Sequence, residues 1–90
     1  MKLVFDPKKD VLNVSKHGIS LDQASLVFNN PNKITLESAR QGENRLMDIA
    51  TVERNGVVLV LVYVMRGESI RPISLRRASK GERSLYANYI

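Results

Sequence analysis

Two rhythms of apolar positions run along this chain, a helical one through its first third and a two-residue one through its middle. Lys2 to Phe5 alternates briefly and then meets Asp6-Pro7, which predicts a strand feeding a helix. Asp6 would cap that helix and Pro7 would bring the preset φ of its first residue. Gly18 would end it in the left-handed conformation, with Lys16 and His17 facing the negative end of the helix dipole. Ser20 and Gln23 have the spacing of a capping box, and Leu21, Ala24, Val27 and Phe28 recur at helical spacing. Asn29-Asn30-Pro31 stops this second helix.

From Lys33 onward the pattern turns to β, first in Ile34-Thr35-Leu36 and then, after a polar loop spanning Ser38 to Glu43, in two longer runs. Asn55-Gly56 between those runs is a preferred centre for a two-residue type I′ hairpin turn. That turn would pair Val52 with Leu59, Ala50 with Leu61 and Ile49 with Val62. Val57 to Val64 is apolar on both alternating faces, which predicts a central strand covered on each side. Gly67-Glu68 allows another tight turn into Ser69 to Leu75, where Pro72 calls for an edge strand or a bulge. Ser79 and Glu82 form a second capping box, and Leu85, Tyr86, Tyr89 and Ile90 share a stripe of a terminal helix. Gly81 weakens that helix by roughly 1 kcal/mol. The order β-α-α-β-β-β-β-α predicts an α+β fold. Its sheet is mostly antiparallel, with four to five strands, two N-terminal helices and one C-terminal helix.

Ninety residues can bury one core, so residues 1–90 read as a single domain. The chain has no cysteine and one histidine, which excludes disulfides, thiolate metal sites and a multi-His zinc site. Its glycines are too scattered for a phosphate-binding loop, so no metal or cofactor is expected. The longest apolar run, Val57 to Met65, falls well short of the ~20 residues that cross a bilayer, and the start lacks a secretion pattern. A cytoplasmic location is the expectation.

Charge sharpens the picture. Fourteen Lys and Arg oppose nine Asp and Glu, a net charge of +5 that suits a polyanionic partner. Arg71, Arg76, Arg77, Lys80 and Arg83 crowd together near the C-terminus with only Glu82 among them. This segment passes from a strand into a helix start, where forked guanidinium donors and free N–H groups favour a phosphate, although a solvated charge run would look the same. Imidazole is the one side chain whose ordinary range lies near neutrality, so His17 could move the proton of an RNA 2′-hydroxyl. Its place beside a helix-ending glycine also suits a plain interaction with the dipole, and spacing alone favours that second reading. Glu43 and Arg45 stand one residue apart, hence on one strand face, either to orient a substrate or as a surface ion pair. Tyr63, Tyr86 and Tyr89 could stack on bases, while Tyr63 and Tyr86 also read as partly core.

The residues of both halves resemble the BrnT family of toxins. In the first half the resemblance lies in Phe5-Asp6-Pro7-x-Lys9, in Asn13-x-x-Lys16-His17-Gly18-Ile19-Ser20, and in Ala24 with Val27-Phe28-x-x-Pro31. In the second it lies in Glu43-x-Arg45, the valine-rich strand into Tyr63, Arg66-Gly67-Glu68, and Arg71-x-Ile73-Ser74-x-Arg76-Arg77-Ala78-x-x-x-Glu82-Arg83-x-x-Tyr86. Pro72 stands where the family usually has an aliphatic residue.

The resemblance implies a RelE-like fold and a ribonuclease toxin that inhibits translation. It also implies a DNA-binding, ribbon-helix-helix antitoxin of the BrnA type, two toxins with two antitoxins, that represses the shared operon. Contact with operator DNA would run through the antitoxin. Arg71, Arg76 and Arg77 would stabilise charge, and His17, Lys16 or Glu43 would move protons without a metal. Arg45, Lys80, Arg83 and Tyr86 would contact RNA. Two rival readings fit the same basic segment: a non-catalytic nucleic-acid-binding module, and a docking surface for an acidic protein segment.

Overall fold

A computed structural model describes residues 2–40, 43–52 and 56–89 of the protein, with the side chains of residues 2, 38–40 and 43 left aside. Strand β1 (Lys2–Leu3) leads into helix α1 (Pro7–His17), a 3-10 turn (Leu21–Gln23) and helix α2 (Ala24–Phe28). Strands β2 (Ile34–Arg40), β3 (Glu43–Val52), β4 (Val57–Arg66) and β5 (Ser69–Arg77) follow, and helix α3 (Lys80–Ala87) comes last. The sheet order is β1-β5-β4-β3-β2. β1 runs parallel to β5, and the other neighbours are antiparallel.

Local chemistry accounts for the helix ends. Asp6 accepts from the Lys8 amide at 2.9 Å, and Pro7 opens α1. Gly18 closes it at φ 72°, its N–H donating to the Val14 carbonyl, a conformation glycine adopts without steric cost. The capping box of α3 is reciprocal: Ser79 accepts from the Glu82 amide, and Glu82 accepts from the Ser79 amide. Ser20 behaves differently. Its hydroxyl accepts from Asp22 N–H and donates to Asp10, and the second helix begins as a 3-10 turn before five α-helical residues.

β4 lies in the middle, as its two apolar faces require. Leu59, Leu61 and Tyr63 point to the face covered by the 3-10 turn and α2, where Leu21, Ala24, Val27, Ala50, Ile70 and Leu75 join them. Val60 points to the opposite face with Ile49, Ala78 and Tyr86. Asn13, in the middle of α1, is buried and ties the layers together. Its amide group donates to the carbonyls of Ile19 and Leu75 and accepts from Leu75 N–H. Asp10 fastens the next turn through Ser20 Oγ and the Leu21 amide.

Three expectations change. β2 extends to Arg40 and β3 starts at Glu43, so the polar stretch from Ser38 is mostly strand, and only Gln41-Gly42, outside the described residues, separates the two. The β3–β4 register is Val52 with Val57, Ala50 with Leu59 and Ile49 with Val60, two residues away from the expected one. Gly56, at φ 64°, donates to the Val52 carbonyl and closes a longer connection, whose residues Glu53, Arg54 and Asn55 are not described. A shift of two leaves every side chain on its face, so the apolar pattern could not distinguish the registers. The α3 stripe also contracts: Tyr86 is buried, whereas Leu85 and Tyr89 are exposed and Ile90 is not described. With β1–β5 the one parallel pairing, the sheet is mostly antiparallel as expected. Pro72 meets its expectation, because the ladder shifts between Val62 and Tyr63 and leaves Ile73 as the extra residue of a bulge.

Candidate functional site

α3 has eight residues and is therefore about 12 Å long. β4 has ten and spans about 33 Å, so the helix covers only one end of the face against which it packs. The other end stays open, and there Arg45, Val64, Arg66, Arg71 and Ile73, with Lys9 from the first turn of α1, line a cleft of about 200 Å³. Register places Arg45 opposite Val64 and Val64 opposite Arg71, which aligns the two guanidinium-bearing positions across β4 on one face. Lys9, Arg66 and Arg71 form no ion pair with any described residue. Lys9, Arg66 and Arg71 around so small a volume repel one another, and an anion bound among them would relieve that repulsion. Guanidinium forks at Arg45 and Arg71 match phosphate oxygens, and Lys9 adds a point charge.

The C-terminal cationic segment does not act as one unit. Arg71 lines the cleft. Arg76 instead lies at the α3 end and donates to both Glu82 oxygens, at 2.7 and 2.9 Å. This forked pair holds the Glu82 carboxyl down at about 2 from its usual 4.5, with the Ser79 amide adding to the effect and burial opposing it. Arg77, Lys80 and Arg83 are exposed beyond the cleft's lining. Tyr86, expected to contact RNA, is 3% exposed, accepts from the Thr51 amide and donates to the Asn32 carbonyl. Its ring belongs to the core under α3. Tyr63, equally buried, donates to Asp48, and burial together with that carboxylate pushes its phenol well above the usual range. Tyr89 alone of the tyrosines is largely exposed.

Lys16 and His17 occupy the last turn of α1, where the dipole favours them, about 12 Å along the axis from Lys9. They are not brought to the cleft. Glu43 opens β3 two residues before Arg45, and its side chain lies outside the described residues.

The cleft's remaining cations, Lys9 and Arg66, went unnoticed as site residues although both stand in the quoted motifs. Lys9 carried a physical signal as well, because a lysine in the first turn of a helix faces the positive end of the dipole. Residues 5–82 match the family model of BrnT, the ribonuclease toxin of type II toxin-antitoxin systems. The chain belongs to this family. No curated protein sequence matches it. Membership makes it a toxin of the ribonuclease class, with RNA as its substrate and an antitoxin as its partner, and the cleft gathers four of the toxin's cationic side chains. No described helix is long and apolar enough to cross a membrane.

A second polar cluster lies on the helix-covered face. Asp48 is fully buried, paired with Lys33 at 2.8 Å, and accepts from Thr35 and Tyr63 at 2.6 and 3.1 Å. Lys33 Nζ sits 4.1 Å from the centre of the Phe28 ring, whose edge meets Tyr63. Every member has a partner and the carboxylate does not reach solvent, so the cluster pins β2, β3 and α2 together in the toxin rather than meeting a substrate.

Proposed function

We propose that the toxin cleaves RNA at the cationic cleft by a route that needs no metal. A base takes the proton of a 2′-hydroxyl, the freed oxygen bonds to the adjacent phosphorus, and the bond from phosphorus to the 5′ oxygen breaks. Arg45, Arg66 and Arg71 stabilise the extra negative charge on the phosphorane, as preorganised donors do. Glu43, a near neighbour of Arg45 in sequence, is the proposed base. Guanidinium groups do not give up their protons, so the proton for the leaving 5′ oxygen comes from the Lys9 ammonium. One observation carries the reading: four cationic side chains from α1, β3, β4 and β5 converge on one cleft.

The wider biology follows the family. Cleavage lowers translation, and a ribbon-helix-helix antitoxin, two copies with two toxins, covers the basic face and represses the operon through its own DNA contacts. The fold is RelE-like and the toxin acts in the cytoplasm. The decisive assay presents labelled RNA to purified toxin with chelator present, beside the same RNA carrying 2′-deoxy residues and an Arg71→Ala control. Cleavage of RNA alone, abolished in the control, is the expected result. Cleavage that disappears with chelator would overturn metal independence. Salt-sensitive binding with intact RNA, on or off ribosomes, would favour a non-catalytic binding module.

A further inference from the structure

Beside the cationic cleft lies a second cavity of about 350 Å³, lined by Val4, Phe5, Asp6, Arg66, Ser69 and Arg71. It shares Arg66 and Arg71 with the first, so the two adjoin, yet their chemistry differs. Val4 is 47% exposed and Phe5 is half-buried, giving an apolar wall beside two guanidinium groups. Asp6 Oδ1 accepts from the Lys8 amide, and no described residue hydrogen-bonds its other carboxylate oxygen. The Ser69 hydroxyl donates its proton to the Arg66 carbonyl at 2.9 Å and so offers only acceptor capacity to the cavity. The cavity thus combines a ring surface, acceptors from Asp6 and Ser69, and donors from the two arginines.

These features match a nucleobase held next to a phosphate. A base stacks on an aromatic or apolar wall, and its edges are read by hydrogen bonds. A carboxylate with a free oxygen selects for donors. Guanine places two donors side by side, N1–H and N2–H, and offers O6 and N7 to an arginine on its other edge. Adenine and cytosine each set an acceptor nitrogen beside their amino group, and uracil flanks its one N–H with carbonyls, so each brings a lone pair towards Asp6.

We propose that this cavity is a guanine subsite, with Asp6 reading the donor edge, Phe5 supporting the ring and Arg71 bridging base and phosphate. The subsite would set the toxin's base preference. This inference rests on the ribonuclease reading only for its biological meaning, because binding can be tested without cleavage.

The test is an NMR titration of the whole chain with inorganic phosphate, ribose 5-phosphate, guanosine, 5′-GMP, 5′-IMP and 5′-CMP. GMP is expected to bind about tenfold more tightly than ribose 5-phosphate, the scale of one well-formed bidentate base contact. CMP should gain nothing over the sugar phosphate, and IMP, which lacks the N2 amino group, should lose most of the gain. Asp6→Asn keeps the helix cap and should erase the advantage of GMP over ribose 5-phosphate, while inorganic phosphate still binds. Phe5→Leu keeps apolar volume and should weaken GMP and guanosine alone. Equal binding of GMP and ribose 5-phosphate, with phosphate still bound, would overturn the guanine subsite and leave the phosphate cleft standing. Absence of phosphate binding would overturn the phosphate cleft, and guanosine shifts at Phe5 and Asp6 would then decide the subsite by themselves.

Discussion

Arg71 and Arg76 occupy the same face of the same strand, opposite Val64 and Val60. Four residues of β4 separate those partners, about 13 Å. Arg76 is met by α3, whose first turn brings Glu82 within a forked hydrogen bond of it. Arg71 lies past the reach of that helix and shares its cleft with Lys9, Arg45 and Arg66. Glu82 of the helix neutralises Arg76 locally, and no residue of the helix reaches Arg71 to do the same. Position on the sheet relative to a short helix, more than density of charge in the sequence, separates a structural arginine from one available to an anion.

The largest way to sharpen this contrast is activity. Arg71→Ala should lower RNA cleavage by about 10²–10³, the usual effect of losing one transition-state donor, without lowering the melting temperature. Arg76→Ala should leave cleavage nearly unchanged. Equal losses from both substitutions, in single-turnover assays on folded protein, would break the distinction. Next comes Asn13→Ala, which strands the Leu75 N–H and carbonyl beneath the strand carrying both arginines. A loss of about 2–3 kcal/mol in urea unfolding is expected, with both ends of β5 affected alike.

Arg76→Ala should cost about 1 kcal/mol at neutral pH, nearer the surface than the buried scale because both partners still touch water. Glu82 carries a pH signature of that pair. Its folded carboxyl, at about 2, holds a proton less readily than its usual value of 4.5 implies, so the pair contributes fully above about pH 4.5. The contribution fades as pH falls from there towards 2. The stability gap between wild type and Arg76→Ala should close across that window, and a gap that persists to pH 2 would contradict the pairing. The smallest expected effect is in salt dependence: Lys9→Ala and Arg71→Ala should each lower the slope of log K for RNA binding against log salt by about 1, and Arg76→Ala by nearly nothing.

Much of the fold was legible because its signals are local. Asp6, Gly18 and the Ser79–Glu82 box act within four residues of the groups they satisfy, so their spacing is their geometry. β4 could be placed in the centre because neither of its faces tolerates water. The site was legible only in part. Arg45 and Arg71 were singled out and do share the cleft, whereas Lys9 and Arg66 come from other elements and needed the register to join them. The buried Asp48 gave no periodic signal, since a carboxylate among strand residues reads as solvent-facing until Lys33, Thr35 and Tyr63 are found around it.

By itself the chain determined its caps, its core strand, its positive charge and, through motifs spread over residues 5–82, its family. These depend on residue identity and short spacing. Tertiary structure alone decided the β3–β4 register, the parallel β1–β5 pairing, the burial of Tyr86 and the division of the arginines between a salt bridge and a cleft. Each follows from contacts between residues far apart in sequence, where one apolar pattern permits several registers and only packing selects among them.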